Sequence, residues 1–180
     1  MRLPIEQIDE EGRELSLEVG AGQFPVLEDL RKRGEARFQS PIRFEIRAVR
    51  VESVFLVGGS VSARVRLCCS RCLSDFPMEL SEKFSLTYCP RSQMPEQERP
   101  GEETELLAEE IDLIPFDGDE IDLLEGLQEQ LVMALPLKPL CGQDCKGICP
   151  KCGADLNRKP CGCEKDCIDP RMAVLGKLKS

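Results

Sequence analysis

The sequence predicts an α+β protein in which an antiparallel β-sheet packs on a core helix, followed by a C-terminal cysteine-rich module. Three observations support this fold class. Apolar and polar residues alternate over several stretches of the first half, as in half-buried strands. A stripe of leucines at helical spacing follows Asp119. Seven of the eleven cysteines lie between Cys141 and Cys167.

Size and composition restrict the class further. The chain has 180 residues with 4% aromatic residues and no tryptophan, so its core must be built from Leu, Ile and Val.

We expect residues 1–140 to hold the sheet and core helix, with a flexible acidic loop at 90–110. Residues 141–180 would hold the cysteine-rich module and a short helix that starts at Asp169 and Pro170. No apolar run has the length of a transmembrane helix or signal peptide, so we expect a reducing cytoplasm and no membrane contact.

Alternation of apolar and polar residues predicts the strands. Strands are expected at residues 15–19, 42–48 and 84–88, with a short helix at 26–34. Two further strands, at 51–57 and 61–67, would form a hairpin that turns at Gly58, Gly59 and Ser60. The core helix is expected at residues 121–135, capped by Asp119 and ended by Pro136.

One face of the predicted sheet carries several arginines. Arg43, Arg47, Arg64 and Arg66 would point to solvent together, whereas the net charge of −9 alone argues against nucleic-acid binding. This face is basic but lacks the aromatic side chains of a base-stacking surface. It is therefore either a nucleic-acid contact or an ordinary solvated face.

The cysteine-rich module has the spacing of a zinc site. Cys149 and Cys152, followed by Gly153, form a C-x2-C knuckle in which a tight turn aims both sulfurs at one point. The chain has no histidine, so a closed tetrahedral site would consist of thiolates. The candidate ligands are Cys141, Cys145, Cys149, Cys152, Cys161 and Cys163.

The spacing alone leaves the ligand set open. The partners of Cys149 and Cys152 would be either the pair Cys161 and Cys163 or the pair Cys141 and Cys145. Cys69 and Cys72 form a second C-x2-C pair, which is incomplete on its own and a less favoured metal site. It would form a second site, lend ligands to the first or be structural. Free buried thiols, a disulfide framework and an iron–sulfur cluster are the alternatives to zinc.

Several segments, in order along the chain, resemble the bacterial YceD family of large ribosomal RNA subunit accumulation proteins. The resemblance rests on Cys69-Ser70-Arg71-Cys72-Leu73, Gly118-Asp119-Glu120-Ile121-Asp122-Leu123, Glu129, Leu135-Pro136-Leu137-Lys138-Pro139-Leu140-Cys141, Cys145-Lys146-Gly147-Ile148-Cys149-Pro150-Lys151-Cys152-Gly153, Asn157, Cys161, Cys163 and Asp169-Pro170-Arg171. It implies a role in making or maintaining 23S ribosomal RNA. Some family members lack the C-terminal cysteines, which implies that the metal is a structural option and not the chemistry that the family shares.

The residues agree with a protein that is not an enzyme. Without histidine there is no Ser–His or Cys–His pair, and no glycine-rich phosphate loop is present. The sequence therefore predicts a ribosome-biogenesis factor that contacts ribosomal RNA or a large-subunit precursor, directly or through a ribosomal protein, and takes no small-molecule substrate. The contact residues would be Arg43, Arg47, Arg64, Arg66, Lys146 and Lys151. The rival hypotheses are an iron–sulfur or redox-active metalloprotein and a protein-only adaptor.

Overall fold

The computed structural model describes residues 1–94 and 113–163. Within these ranges the chain forms two α-helices, α1 (Pro25–Arg33) and α2 (Leu124–Ala134), and three 3₁₀ turns (Ile5–Gln7, Ala21–Gln23 and Arg91–Gln93). The strands are β1 (Arg2–Pro4), β2 (Arg13–Val19), β3 (Ala36–Phe38), β4 (Ile42–Val51), β5 (Val54–Cys68), β6 (Asp75–Pro90), β7 (Leu113–Phe116) and β8 (Glu120–Asp122).

The main sheet has six strands and is mostly antiparallel. Its order is β2-β4-β5-β6-β7, and β3 pairs with the far end of β5. The β6–β7 pair is parallel, so the sheet is mixed, which corrects the purely antiparallel prediction. A parallel pair needs a crossover of a dozen or more residues, and the connection from β6 to β7 has that length. Strands β1 and β8 form a separate antiparallel pair.

The alternation predicted for the central strands is confirmed in β4. Ile42, Phe44 and Ile46 are buried, and the intervening Arg43 and Glu45 are exposed. The inner face packs against both helices, with Leu27 of α1 and Leu127 and Leu131 of α2 fully buried. The apolar core therefore lies on one side of the sheet, and the outer side faces solvent.

The predicted hairpin turn at Gly58, Gly59 and Ser60 is wrong. Strand β5 runs through these residues without a break, and the chain turns instead between β4 and β5 at Glu52, whose φ is 51°. The glycines have another role. A Cβ at Gly59 would lie 2.0 Å from the backbone oxygen of Glu45, so only glycine permits β4 and β5 to pair there.

The start of the core helix is also corrected. Asp119 does not cap it, because residues 120–122 form strand β8 and α2 begins at Leu124. The Asp122 carboxylate accepts a hydrogen bond from the Leu124 N–H at 3.0 Å instead. Helix α2 lies close to β6, where a Cβ at Gly126 would be 2.6 Å from the Tyr88 hydroxyl. The helix ends before Pro136, as the sequence predicts.

Two predicted features fall outside the described residues. These are most of the acidic loop expected at 90–110 and the short helix expected from Asp169 and Pro170. The predicted boundary between residues 140 and 141 stays a prediction. No helix in the described ranges is long and apolar enough to cross a membrane.

Candidate metal centres

The described cysteines form two clusters of four. The first joins Cys69 and Cys72, in the loop between β5 and β6, to Cys141 and Cys145; the second consists of Cys149, Cys152, Cys161 and Cys163. Within each cluster all four sulfurs lie within 4.8 Å of one another. Of the two pairings that the sequence left open, Cys149 and Cys152 lie with Cys161 and Cys163. Cys141 and Cys145 lie with the less favoured pair, Cys69 and Cys72.

The spacing of the sulfurs fits a single tetrahedral ion. In the first cluster the Cys69 and Cys145 sulfurs are 3.8 Å apart, and those of Cys72 and Cys141 are 3.6 Å apart. Four sulfurs about 2.3 Å from a common centre stand about 3.8 Å from one another. Both distances are too long for a disulfide bond, and the described cysteines are free thiols. Each cluster could therefore hold one metal ion.

The two C-x2-C turns have the same backbone structure. Cys69 N donates to Ser74 O at 2.9 Å, and Leu73 N donates to Cys69 O at 2.9 Å. In the other turn, the equivalent bonds from Cys149 N to Ala154 O and from Gly153 N to Cys149 O are both 2.8 Å. The sequence identified the second turn as a knuckle, and the structure shows that the first turn is one too.

The residue after the second cysteine has a left-handed backbone in both knuckles. Gly153 has φ of 71°, whereas Leu73 holds the same conformation with φ of 59°. Such a conformation costs an L-residue roughly 1–2 kcal/mol. The C-x2-C spacing of this first knuckle is visible in the sequence, but the pair is incomplete on its own because its partner sulfurs lie 69 and 76 residues further along the chain.

We expect Leu73→Gly to stabilise the protein slightly, by up to about 1 kcal/mol, because glycine adopts this backbone without strain and the leucine side chain is 61% exposed. Gly153→Ala is the matched control and should be destabilising. Thermal unfolding of both variants measures the difference. A marked loss of stability in Leu73→Gly would show that the leucine side chain matters more than its backbone.

Backbone amides favour the thiolate form of the first cysteine in each knuckle. Burial raises the pKa of Cys69, but N–H groups of Cys72, Cys141 and Arg71 donate to its sulfur and lower that pKa to about 6. Cys149 receives the N–H groups of Cys152 and Lys151, which lower its pKa to about 6. Both sulfurs are thus largely ionised at neutral pH, which is the form that binds metal.

One thiol in each cluster is held in the protonated form. Hydrogen bonds to Cys145 and Cys72 raise the pKa of Cys141 to about 12. In the second cluster, a hydrogen bond to Cys152 raises the pKa of Cys163 to about 12. A metal ion must displace these protons, so the affinity of either cluster for metal should rise with pH.

The first cluster joins the sheet to the C-terminal segment. Ser70 N donates to Pro139 O at 2.8 Å, and Arg71 Nη1 donates to Cys145 O at 3.0 Å. Ile148 N in turn donates to Arg71 O at 3.1 Å. These bonds hold the β5–β6 loop against the residues that lead into the second cluster.

Sequence reasoning from spacing gave no role to Asn157, which contacts the first cluster. Its Nδ2 donates to the Cys145 sulfur at 3.4 Å. The amide stands in the loop of the second cluster, twelve residues from the sulfur that it contacts. A C-x-x-x-C spacing carries no signal for such a contact. Cys68 and Cys89 are in neither cluster, and Cys167 lies outside the described residues.

The arginines of the outer sheet face are mostly matched with glutamates on the neighbouring strand. They share that face, as predicted. The ion pairs are Arg43–Glu18 at 2.5 Å, Arg47–Glu14 at 3.7 Å and Arg64–Glu79 at 2.7 Å. Much of this face is therefore locally neutral.

Arg66 has different neighbours. It lies opposite Arg37 on β3 and Pro77 on β6, and it forms no ion pair with any residue in the described part of the chain. Lys146 and Lys151 are exposed beside the second knuckle. Arg66, Lys146 and Lys151 are therefore exposed cations without an ion-pair partner among the described residues.

Comparison with known proteins places this chain in a family. The sequence model described as large ribosomal RNA subunit accumulation protein YceD matches residues 57–179. The chain belongs to the YceD family. The match includes both cysteine clusters and strands β6 to β8, and it confirms the resemblance seen in the sequence.

Individual curated proteins share between about a quarter and a third of their residues with this chain over the matched region. An uncharacterized protein of Mycobacterium tuberculosis is 34% identical over 72% of this chain and 59% of its own length. The chloroplastic large ribosomal RNA subunit accumulation protein YCED homolog 1 of Arabidopsis thaliana is 23% identical over 78% of this chain and 49% of its own. The Zea mays protein of the same name is 25% identical over 80% of this chain and 56% of its own length. The matches span about half of each relative's length, and no solved structure is similar.

Proposed function

We propose that this YceD-family chain is a non-enzymatic, cytoplasmic ribosome-biogenesis factor that supports the accumulation of 23S ribosomal RNA. The name of the family describes accumulation of large-subunit ribosomal RNA. The proposal that the protein is not an enzyme is supported by the number of ligands, because each cluster has four cysteines. Four thiolates would occupy all positions of a tetrahedral ion bound there and leave none for a substrate.

Zinc is the metal that we propose for both clusters. All-cysteine tetrahedral sites are typical of structural zinc. A cluster of several irons would place bridging sulfides between its ligands and spread the four cysteine sulfurs over more than the 4.8 Å within which all four lie here. The spacing therefore favours a single ion over an iron–sulfur cluster.

The proposed RNA contact combines the outer sheet face with the lysines at the knuckles. Arg43, Arg47 and Arg64 have carboxylate partners. Among the arginines of the sheet, we therefore expect Arg66 to contribute most to RNA binding. Lys146 and Lys151 would extend the same positive surface towards the second cluster. Phosphate contacts of this kind depend strongly on salt because they release counterions.

We expect Arg66→Ala to weaken binding to large-subunit ribosomal RNA several-fold and to reduce the salt slope by about one phosphate contact, roughly 0.7–0.9. The control removes a matched pair, Arg43→Ala with Glu18→Ala, which leaves the net charge unchanged. Titration of each variant with the RNA at several salt concentrations measures the affinity and the salt slope. Equal losses in the two variants would contradict the larger contribution of Arg66, and no loss in Arg66→Ala would remove Arg66 from the proposed interface.

The cellular role is tested by depletion in the native host. We expect the ratio of 23S to 16S ribosomal RNA to fall on depletion and to recover when the wild-type chain is supplied. A normal ratio after depletion would contradict the proposed function. Pull-down before and after nuclease treatment then distinguishes direct RNA contact from contact through a ribosomal protein, because only a protein partner survives nuclease.

A further inference from the structure

The two cysteine clusters are physically connected. Cys145 of the first and Cys149 of the second are separated by three residues, and Asn157 reaches from the loop of one cluster to a sulfur of the other. Asn157 lies between Cys152 and Cys161, which are both in the second cluster. Its side chain nevertheless donates to Cys145, which is in the first.

The position of Asn157 is fixed on several sides. Its Oδ1 accepts from Lys146 N at 2.8 Å, and Asp155 Oδ1 accepts from both its backbone N at 2.9 Å and its Nδ2 at 2.8 Å. Leu156 N donates to Gly147 O at 2.9 Å. These bonds hold the 153–160 loop against the segment that joins the two clusters.

The loop is held by hydrogen bonds and by the cysteines at its ends, and not by packing in the apolar core. Residues 157–160 are exposed, and the buried apolar core of the sheet includes no residue of this loop. Its ends are fixed by cysteines of the second cluster. The order of the loop, and hence the position of the Asn157 amide, should therefore depend on metal in that cluster.

We propose that the two metal sites are coupled through Asn157, so that metal in the second cluster increases the affinity of the first. This inference rests on the proposed metal sites. An N–H donor reduces the cost of gathering negative thiolates around one ion, and groups that contact metal ligands in this way are commonly worth 10–100-fold in metal affinity. Because coupling is reciprocal, metal in the first cluster also favours the second.

The test is competition by a chelator on the full chain loaded with NMR-active cadmium in place of zinc. Each site gives its own cadmium resonance, which coupling to the cysteine β-protons assigns to one cluster. In the wild type we expect both resonances to disappear over the same range of chelator concentration. In Asn157→Ala the first-cluster resonance should disappear at about tenfold less chelator, ahead of the second.

Arg158→Ala is the matched control, because Arg158 is the next residue, is exposed and pairs only with Asp155 among the described residues. It should behave as the wild type. Coupling through Asn157 is overturned if the first site is unchanged in Asn157→Ala, or if Arg158→Ala weakens it equally. Absence of any thiolate-bound cadmium would instead overturn the metal sites themselves, so the two failures are distinguishable.

Discussion

Replacing Gly59 by alanine should cost about 3 kcal/mol of stability and lower the Tm by roughly 10 °C. The new Cβ would stand 2.0 Å from Glu45 O and 3.0 Å from Ile46 Cα. Both are backbone atoms in the middle of β4 and cannot move without breaking the β4–β5 pairing. The chain can avoid the contact only by separating two central strands.

The adjacent glycine provides the control. A Cβ at Gly58 meets nothing closer than Phe84 O at 3.6 Å, an ordinary contact, so Gly58→Ala should change stability by less than about 1 kcal/mol. Thermal or denaturant unfolding of the two variants gives the comparison. Similar effects at both positions would mean that β5 does not run straight through these residues.

Replacing Cys69 and Cys72 together by serine should remove one metal ion per chain. The segment around residues 139–148 should then become disordered. The bonds from Ser70 to Pro139 and from Arg71 to Cys145 depend on the loop that these two cysteines fix. The core of the sheet contains neither cysteine and should stay folded. Hydrogen exchange should show lost protection in the segment and retained protection in β4 to β6.

Cys68→Ser is the control for that variant. Cys68 is half-buried, belongs to neither cluster and bonds Leu73 O through its sulfur, which a serine hydroxyl can replace. It should keep the wild-type metal content and exchange pattern. Full metal content in the double variant would show that Cys69 and Cys72 are not ligands.

Local patterns predicted β2, β4 and the second half of β6, because the two faces of these strands differ in burial. The alternation around Phe44 in β4 and Leu86 in β6 needs no knowledge of distant partners. The errors arose where the role of a residue depends on a contact with a residue that is remote in sequence. Gly59 suits a tight turn equally well, and only the closeness of Glu45 shows its role in a continuous strand.

Short strands also escaped prediction. Residues 120–122 continue directly into a helical pattern, and their strand character comes from pairing with residues 2–4. Strand β7 has four residues and contains Pro115, which is tolerated there because it lies at the edge of the sheet.

The cysteine clusters show the same limit. Spacing identified the second cluster's knuckle, since its glycine is at the expected position. It could not assign Cys69 to Cys145, because 76 residues separate them and only the fold of the sheet brings them together.

The central claim is that this YceD-family chain carries two closed four-thiolate zinc sites. Elemental analysis of protein purified without added metal, together with a visible spectrum, tests it most directly. We predict two zinc ions per chain and no visible absorption, since each cluster supplies four sulfurs at the spacing of one tetrahedral ion. One metal ion or fewer per chain, or iron with visible absorption, would contradict the account.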